Sequence, residues 1–564
     1  MSTVTDPGLE RLTAALAVAA RAAGAPTDFA PELSRPRDPD HGDWASNAAL
    51  VLARSLGTPP RAIAEGIVAE LDRDAAGVAE VDVAGPGFIN FRLANEGVWT
   101  RLAELLERDA AWGRTDWGAG RRVNVEFVSA NPTGPLHVAH GRGAALGDAV
   151  ASLLEWTGHA VTREFYVNDA GNQIRLLAES VEARYQQQLG NDHEVPEGGY
   201  QGVYVATLAA DITGSVGAGV LEAMSREDRL ARFESEAVET LREGQAHDLS
   251  EFGVDMDLWY SETSLYRGGA IDGLLARLDE ADLTYESEGA LWLRTSAFGD
   301  EKDRVLIKSD GSYTYFLPDL AYHLDKADRG FSLTIDVWGA DHQGHEKRML
   351  AALEGLGHAD LLEVLILQLV TVMQGGEEAR MSKRAGRFVS LADLVDVTGP
   401  DVARYFFLMR RAEVHLNFDL DLALDTSDAN PVHKVQYAHA RMCSVFSKAE
   451  VEPETLDATS IGLNQLTTEA ERDVAKVVLR LPEAVSTAAR ARAPHILCAF
   501  LEETAGLVNA WYHQGNLDPS LRMLAEGPAR EGRLKLARAV QITLRNGLGI
   551  LGLSAPTAMV REET

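Results

Sequence analysis

A buried-strand run, Arg122-Val-Asn-Val-Glu-Phe-Val128, leads through a Pro/Gly loop into an amphipathic helix over 139 to about 156, and a second apolar strand follows at 161–167. Strand, loop, helix, strand is a βαβ unit, whose two strands run parallel and whose crossover helix lies on a sheet face. This predicts an α/β fold with a doubly wound parallel sheet, which gathers ligands at the carboxyl ends of its strands.

The rest of the chain divides around that unit. Residues 1–112 alternate helical and strand patterns and end in the strand-like Gly87-Phe-Ile-Asn-Phe-Arg-Leu93, which predicts a small N-terminal α/β domain. The Ala-rich run 12–21 follows acidic residues, lacks a basic leader and reads as a helix rather than a signal peptide. In residues 113–427 the acidic, helical stretch from about 175 to 285 is taken as insertions, with strands resuming at 290–294, 305–307, 333–338 and 365–370. Residues 428–564 carry Leu, Val and Ala at three- and four-residue spacing with almost no strand signal, a helical bundle.

Composition narrows the class. With 46% hydrophobic and 24% charged residues the chain is globular. The most apolar stretch, 361–373, contains Glu363 and Gln368 and is too short to span a bilayer, so no membrane segment is expected. Two cysteines, Cys443 and Cys498, cannot make a disulfide framework or a Cys-type zinc site, no metal site is expected, and a cytoplasmic address fits. The net charge of −32 opposes a polyanionic partner, yet residues 428–564 hold 15 Lys+Arg against 16 Asp+Glu, leaving −31 on residues 1–427. In that C-terminal part Arg530, Arg533, Lys535, Arg538 and Arg545 form a candidate phosphate-contacting face on one helix, with a solvated helix surface as the alternative.

Two loops carry candidate chemistry. Ser129-Ala-Asn-Pro-Thr-Gly-Pro-Leu-His-Val-Ala-His140 sits after the first strand and at the mouth of the helix, where free N–H groups favour phosphate. There His137 and His140 are candidate donors to charge developing on an α-phosphate. Alone, His-x-x-His also suits a zinc half-site or two surface histidines. The following Gly141-Arg-Gly-Ala-Ala-Leu-Gly147 has the wrong glycine spacing for a dinucleotide fingerprint. The second loop, Arg380-Met-Ser-Lys-Arg-Ala-Gly386 with the adjoining Arg387, offers Lys383 to a departing pyrophosphate, or is a solvated basic loop.

Together these loops resemble the paired signatures of class I aminoacyl-tRNA synthetases, and the stretch Val125 to His140 resembles the arginyl family's version of the first. Further family-like motifs are Phe165-Tyr-Val-Asn-Asp-Ala-Gly-Asn-Gln173, Trp338-Gly-Ala-Asp-His-Gln-Gly-His345 and Val435-Gln-Tyr-Ala-His-Ala-Arg441. Gly42-Asp-Trp-Ala-Ser-Asn47 and Gly85-Pro-Gly-Phe-Ile-Asn90 resemble that family's extra N-terminal domain. Ala139 and Arg380 stand where the signatures have glycine and lysine.

The resemblance implies a Rossmann-like catalytic domain and an ATP site at Pro132, Gly134, His137, His140, Gly141, Met381, Ser382, Lys383 and Arg384. It implies ATP with Mg²⁺, L-arginine and tRNA(Arg) as reactants, arginine activation that requires bound tRNA, a tRNA-elbow contact by the N-terminal domain, and a monomer.

A guanidinium is planar and permanently charged, so a selective pocket needs carboxylates that accept in pairs. Glu126, Asp319 and Asp341 are the candidates, and Tyr315 lies four residues before Asp319, on one helical face with it. In the resemblance Glu126 and Asn131 hold the α-amino end, and Tyr315 and Asp319 line the side-chain pocket. The bundle resembles the family's anticodon-binding domain, where Tyr437, Asn509, Trp511 and Tyr512 are candidate base contacts, with core packing as the alternative. Another class I synthetase and a tRNA-binding paralogue without catalysis are the rival readings.

Overall fold

The computed structural model describes residues 7–36, 38, 41–379 and 390–559. The βαβ unit forms as its pattern requires, from β1 (Arg122–Glu126), α1 (Val138–Trp156) and β2 (Ala160–Val167). Strands β3 (Leu258–Ser261), β4 (Leu333–Gly339) and β5 (Leu362–Leu367) complete a parallel sheet in the order β5-β4-β1-β2-β3. Chain order reverses between β1 and β4, and a doubly wound sheet opens its ligand crevice at that switch. α1 presses onto the sheet through Gly147, where any methyl group would overlap the Phe127 ring.

Several strand expectations change. β3 falls inside the stretch read as insertions, because a four-residue strand leaves little periodic signal. Ala290–Leu293 and Arg304–Ile307 stay out of the parallel sheet and pair antiparallel in a sheet completed by Thr284–Ser287. The run 365–370 is broken at Gln368, whose N–H goes to the Ala412 carbonyl and whose carbonyl accepts from Arg142. Val370–Gln374 then pairs with Leu416–Asp419 in another small sheet.

The inserted stretch is built on α2 (Asn172–Gln188), α3 (Val203–Val216) and α4 (Arg226–Glu251). Leu177, Val181, Tyr185, Leu208 and Phe233 give these helices a core of their own. Helix α5 (Phe316–Asp328) reaches β4 through His323 and Lys326, which both contact Asp336, and α6 (Pro400–Leu408) lies against α1. The N-terminal unit packs Leu12, Leu16, Trp44, Ile67 and Phe91 into a second core over an antiparallel sheet of Trp44–Ser46, Phe88–Leu93 and Val78–Ala84. Its following helix, Asn95–Arg108, puts Trp99, Leu102 and Leu105 into the large core instead.

The C-terminal helices include α7 (Pro431–Ala449), α8 (His495–Leu517) and α9 (Arg530–Ile550). Their apolar faces merge with those of α1 and β1 into one core. The basic face expected on α9 is interior. Arg533, Lys535 and Arg538 are buried, paired with Glu471 at 2.7 Å, Asp457 at 2.6 Å and Asp109 at 3.1 Å. Arg545 meets Asp109 at 2.6 Å, and Arg530 faces Glu526 at 3.8 Å. The helix is buried on nearly every side, so its cations are neutralised by acidic residues within the chain, as buried charges must be. No described helix is long and apolar enough to cross a membrane.

Candidate active site

The predicted first-loop and pocket residues, Asp341 and Tyr315 excepted, gather at the carboxyl edge of the sheet. β1 ends in Glu126, which is buried at the switch point. Its Oε2 accepts from Lys326 Nζ of α5 at 2.6 Å and its Oε1 from Ser129 Oγ at 2.8 Å. Lys326 also reaches Asp336 of β4 at 2.9 Å, and Asp336 contacts His323 Nε2 at 2.9 Å. Burial pushes the Glu126 carboxyl up against the downward pull of Lys326. Burial opposes the charged forms of Lys326 and His323 as well, but Asp336 holds both above their usual range.

The loop after β1 runs through a buried Pro132 and half-buried Asn131 and Gly134 to His137, which caps α1. The His137 and His140 rings stack with centroids 3.5 Å apart. His140 Nδ1 accepts the His137 backbone N–H at 3.3 Å, which leaves the imidazole proton on Nε2, free to donate outward. Burial lowers both histidines, His140 to about 3, so the pair is neutral at physiological pH. They stand at the first turn of α1, whose leading N–H groups have no intrahelical carbonyl to meet, and the His137 side chain caps the N–H of His140. Gly141 is buried under Leu391, whose Cδ1 would lie 2.5 Å from an added methyl.

The second loop, with Arg380, Met381, Ser382, Lys383, Arg384 and Arg387, lies outside the described residues. The first described residue after it, Ser390, is bridged to His137, and the Leu391 N–H donates to the Leu136 carbonyl at 2.8 Å. The chain thus leaves the second signature against the histidines of the first.

Across the sheet edge lies an acidic pocket. Asp319, on the first turn of α5, has its Oδ2 3.0 Å from His345 Nε2, which the motif ending at residue 345 supplies. Glu262, just past β3, accepts from Tyr266 at 3.1 Å. Burial, with repulsion from Asp319 and Asp169, raises Glu262 to about 7. Among the described residues neither Asp319 nor Glu262 is paired with a lysine or arginine. A carboxyl whose charge is disfavoured by burial and by a neighbouring carboxylate makes a seat for a cation. Asn131 donates to Gln173 at 2.6 Å near the same edge.

Tyr315 and Asp341 differ from expectation. The Tyr315 ring is 91% exposed, because it precedes the helix as its cap, and it lines a cavity of 360 Å³ with Trp292, Phe316, His345 and Arg348. Asp341 sits on an exposed turn, 3.5 Å from His342. In the bundle Tyr437, Asn509 and Tyr512 converge on Arg441: the guanidinium lies 4.6 Å and 4.3 Å from the two ring centroids and donates to Asn509 at 2.6 Å. Trp511 is buried in the core of α8 and is not a base contact. Glu262, Lys326 and His345 were not singled out in the sequence. A Lys that meets Glu126 across 200 residues gives no local signal, whereas Glu262 follows the short strand that the periodicity missed.

Comparison with known proteins follows the same order along the chain. The family model described as arginyl tRNA synthetase N terminal domain matches residues 10–93, tRNA synthetases class I (R), catalytic domain matches 101–406, and DALR anticodon binding domain matches 435–559. The chain is 47% identical over 529 residues to the arginine–tRNA ligase of Bacillus licheniformis, covering 93% of this chain and 94% of that one. It is 46% identical over 544 residues to the arginine–tRNA ligase of Geobacillus kaustophilus, covering 96% and 97%. A solved arginyl-tRNA synthetase of Thermus thermophilus superposes with a TM-score of 0.76 at 26% identity, covering 98% of this chain and all of that one.

Proposed function

The chain belongs to the arginyl-tRNA synthetase family and is an arginine–tRNA ligase, and from that premise we propose how its residues divide the reaction. ATP lies on the loop 131–141, its α-phosphate against His137, His140 and the first turn of α1. Met381, Ser382, Lys383 and Arg384 of the second signature bind the triphosphate. Mg²⁺ travels with ATP, since that ion is commonly held by substrate phosphates and water; the described residues present no group of three or more His, Cys, Asp or Glu set to hold a metal.

Arginine binds with its α-amino group towards Glu126 and Asn131 and its guanidinium between Asp319 and Glu262. Its carboxylate attacks the α-phosphorus, the bond to pyrophosphate breaks, and arginyl-adenylate forms. The 2′-hydroxyl of the terminal adenosine of tRNA(Arg) then attacks the carbonyl carbon, and AMP leaves. No covalent bond to the protein is needed: the site positions the reactants and stabilises charge. Neutral His140 suits this role, as it donates from Nε2 to the developing charge without a protonation step. Activation waits for tRNA, the Arg441 cluster meets the anticodon loop, the N-terminal domain reaches the tRNA elbow, and the enzyme works as a cytoplasmic monomer.

The observation that carries the assignment of side chains is Glu262, raised by burial and by Asp319 at the sheet edge. Charging assays with a panel of amino acids test it. Arginine alone should be charged efficiently, with lysine poor because an ammonium cannot reproduce the guanidinium fork. Efficient charging of an uncharged amino acid would overturn it.

A further inference from the structure

The nucleotide loop is held from outside by the inserted helices. Gln245 on α4 is 2% exposed, and its amide donates to two loop carbonyls, Asn131 O at 3.1 Å and Gly134 O at 3.0 Å. An amide carries two N–H groups, so both are committed to this one loop. Between those two carbonyls, the Thr133 carbonyl accepts the Tyr204 hydroxyl of α3 at 2.7 Å. The same hydroxyl would lie 3.4 Å from a methyl added to Gly134, so the tyrosine supports the loop by packing as well. Pro132 has no N–H, and the loop's own backbone supplies only the Thr133 N–H to Asn131 O. Three carbonyls within four residues are therefore fixed by side chains from an insertion with its own core.

We propose that Gln245 and Tyr204 are positioning residues for adenylate formation: by drawing these three carbonyls towards the inserted helices they turn the negative ends of the peptide dipoles away from the triphosphate and set the approach to His137. The proposal rests on ATP lying on this loop. It gives the inserted helices a part in the chemistry although neither residue touches a reacting atom. It bears on ATP more than on the guanidinium, because Glu262 and Asp319 stand on elements that Gln245 does not bond, and Asn131 is the one arginine contact on the loop that it holds.

The test uses the full chain with Gln245→Ala, Gln245→Glu and Tyr204→Phe. Each is assayed for charging with ATP and arginine varied separately, and for its thermal midpoint. Gln245→Ala should lower kcat/KM for ATP by about 25-fold, the scale of two net hydrogen bonds, with the arginine KM moving far less. Tyr204→Phe should lower it by about fivefold, the scale of one. Gln245→Glu keeps the shape but cannot donate, and should be no better than the alanine variant. Wild-type kcat/KM for ATP in Gln245→Ala, a lowered thermal midpoint with kinetics unchanged, or an equal loss for both substrates would each overturn the proposal. His140→Ala serves as the control: if it too leaves turnover intact, the placement of ATP on this loop fails, whereas a collapse there with neutral Gln245 variants refutes only the role of Gln245 and Tyr204.

Discussion

Arg404 Nε donates to the Leu551 carbonyl at 2.8 Å, tying α6 of the catalytic unit to the end of α9 in the bundle. The same guanidinium, 1% exposed, reaches Asp148 on α1 and the Gly253 carbonyl beyond α4. One buried cation thus joins the signature helix, the insertion and the bundle. Trp112 Nε1 adds a bond to the Val478 carbonyl at 3.1 Å.

Removing residues 428–564 should therefore unfold the catalytic unit rather than leave a domain that has merely lost tRNA. Circular dichroism melts of the truncated chain should show no cooperative transition. In the full chain Arg404→Leu should cost about 3–5 kcal/mol in urea denaturation, the range for breaking a buried ion pair. A truncated chain that melts like the parent would show that the shared core is dispensable.

For the histidine pair, His140→Ala should raise the barrier to turnover by about 2–4 kcal/mol, the loss of one preorganised donor, with little change in folding. The lowered value of His140 also fixes a stability trend. The unfolded chain takes up a proton below about pH 6.5, while the folded site refuses it until about 3. Stability contributed by this group is thus complete above 6.5 and falls as pH falls towards 3. Urea midpoints at pH 7 and 5 should drop more in wild type than in His140→Gln. Equal drops would remove the buried neutral imidazole from the account.

Glu262 makes arginine binding depend on pH. Its carboxyl, raised to about 7, is half protonated at neutrality, and a guanidinium favours the ionised form. Binding should release a proton, so the arginine KM should fall as pH rises from 6 to 8. In Glu262→Gln that slope should vanish while the KM itself is higher. An identical slope in the variant would assign the dependence to another group.

In the bundle, burial separates two aromatic roles: Tyr437 and Tyr512 are half-buried around Arg441, and Trp511 is buried. Tyr512→Ala or Tyr437→Ala should weaken tRNA by about 1–3 kcal/mol, the scale of a lost base stack, and leave the thermal midpoint near wild type. Trp511→Ala should instead cost about 3–5 kcal/mol of stability, as for a buried aromatic. The tRNA KM and the denaturation midpoint of each variant report the two effects. The opposite assignment of effects would reverse the reading of this surface.

Much of the architecture was legible because it is local. The βαβ unit, the loop at its helix mouth and the bundle rest on periodicity and turn residues that neighbours in sequence supply. The pairing of charges was not. Arg533, Lys535 and Arg538 read as a surface because nothing nearby in sequence shows that Glu471, Asp457 and Asp109 fold onto them. Lys326 reaches Glu126 across 200 residues, and Gln245 reaches Asn131 across 114. Tyr315 and Asp319 do stand one turn apart, yet the cap position leaves the ring in solvent. Spacing alone could not show that.

The central claim is that the guanidinium lies between Asp319 and Glu262. It is tested most directly by the arginine and ATP Michaelis constants of wild type and Asp319→Ala in charging assays. Loss of one partner from a partly desolvated charge pair costs about 2–5 kcal/mol. The arginine constant should therefore rise by at least about thirtyfold, while the ATP constant moves little because ATP meets the signature loops. An unchanged arginine constant in Asp319→Ala would contradict the account.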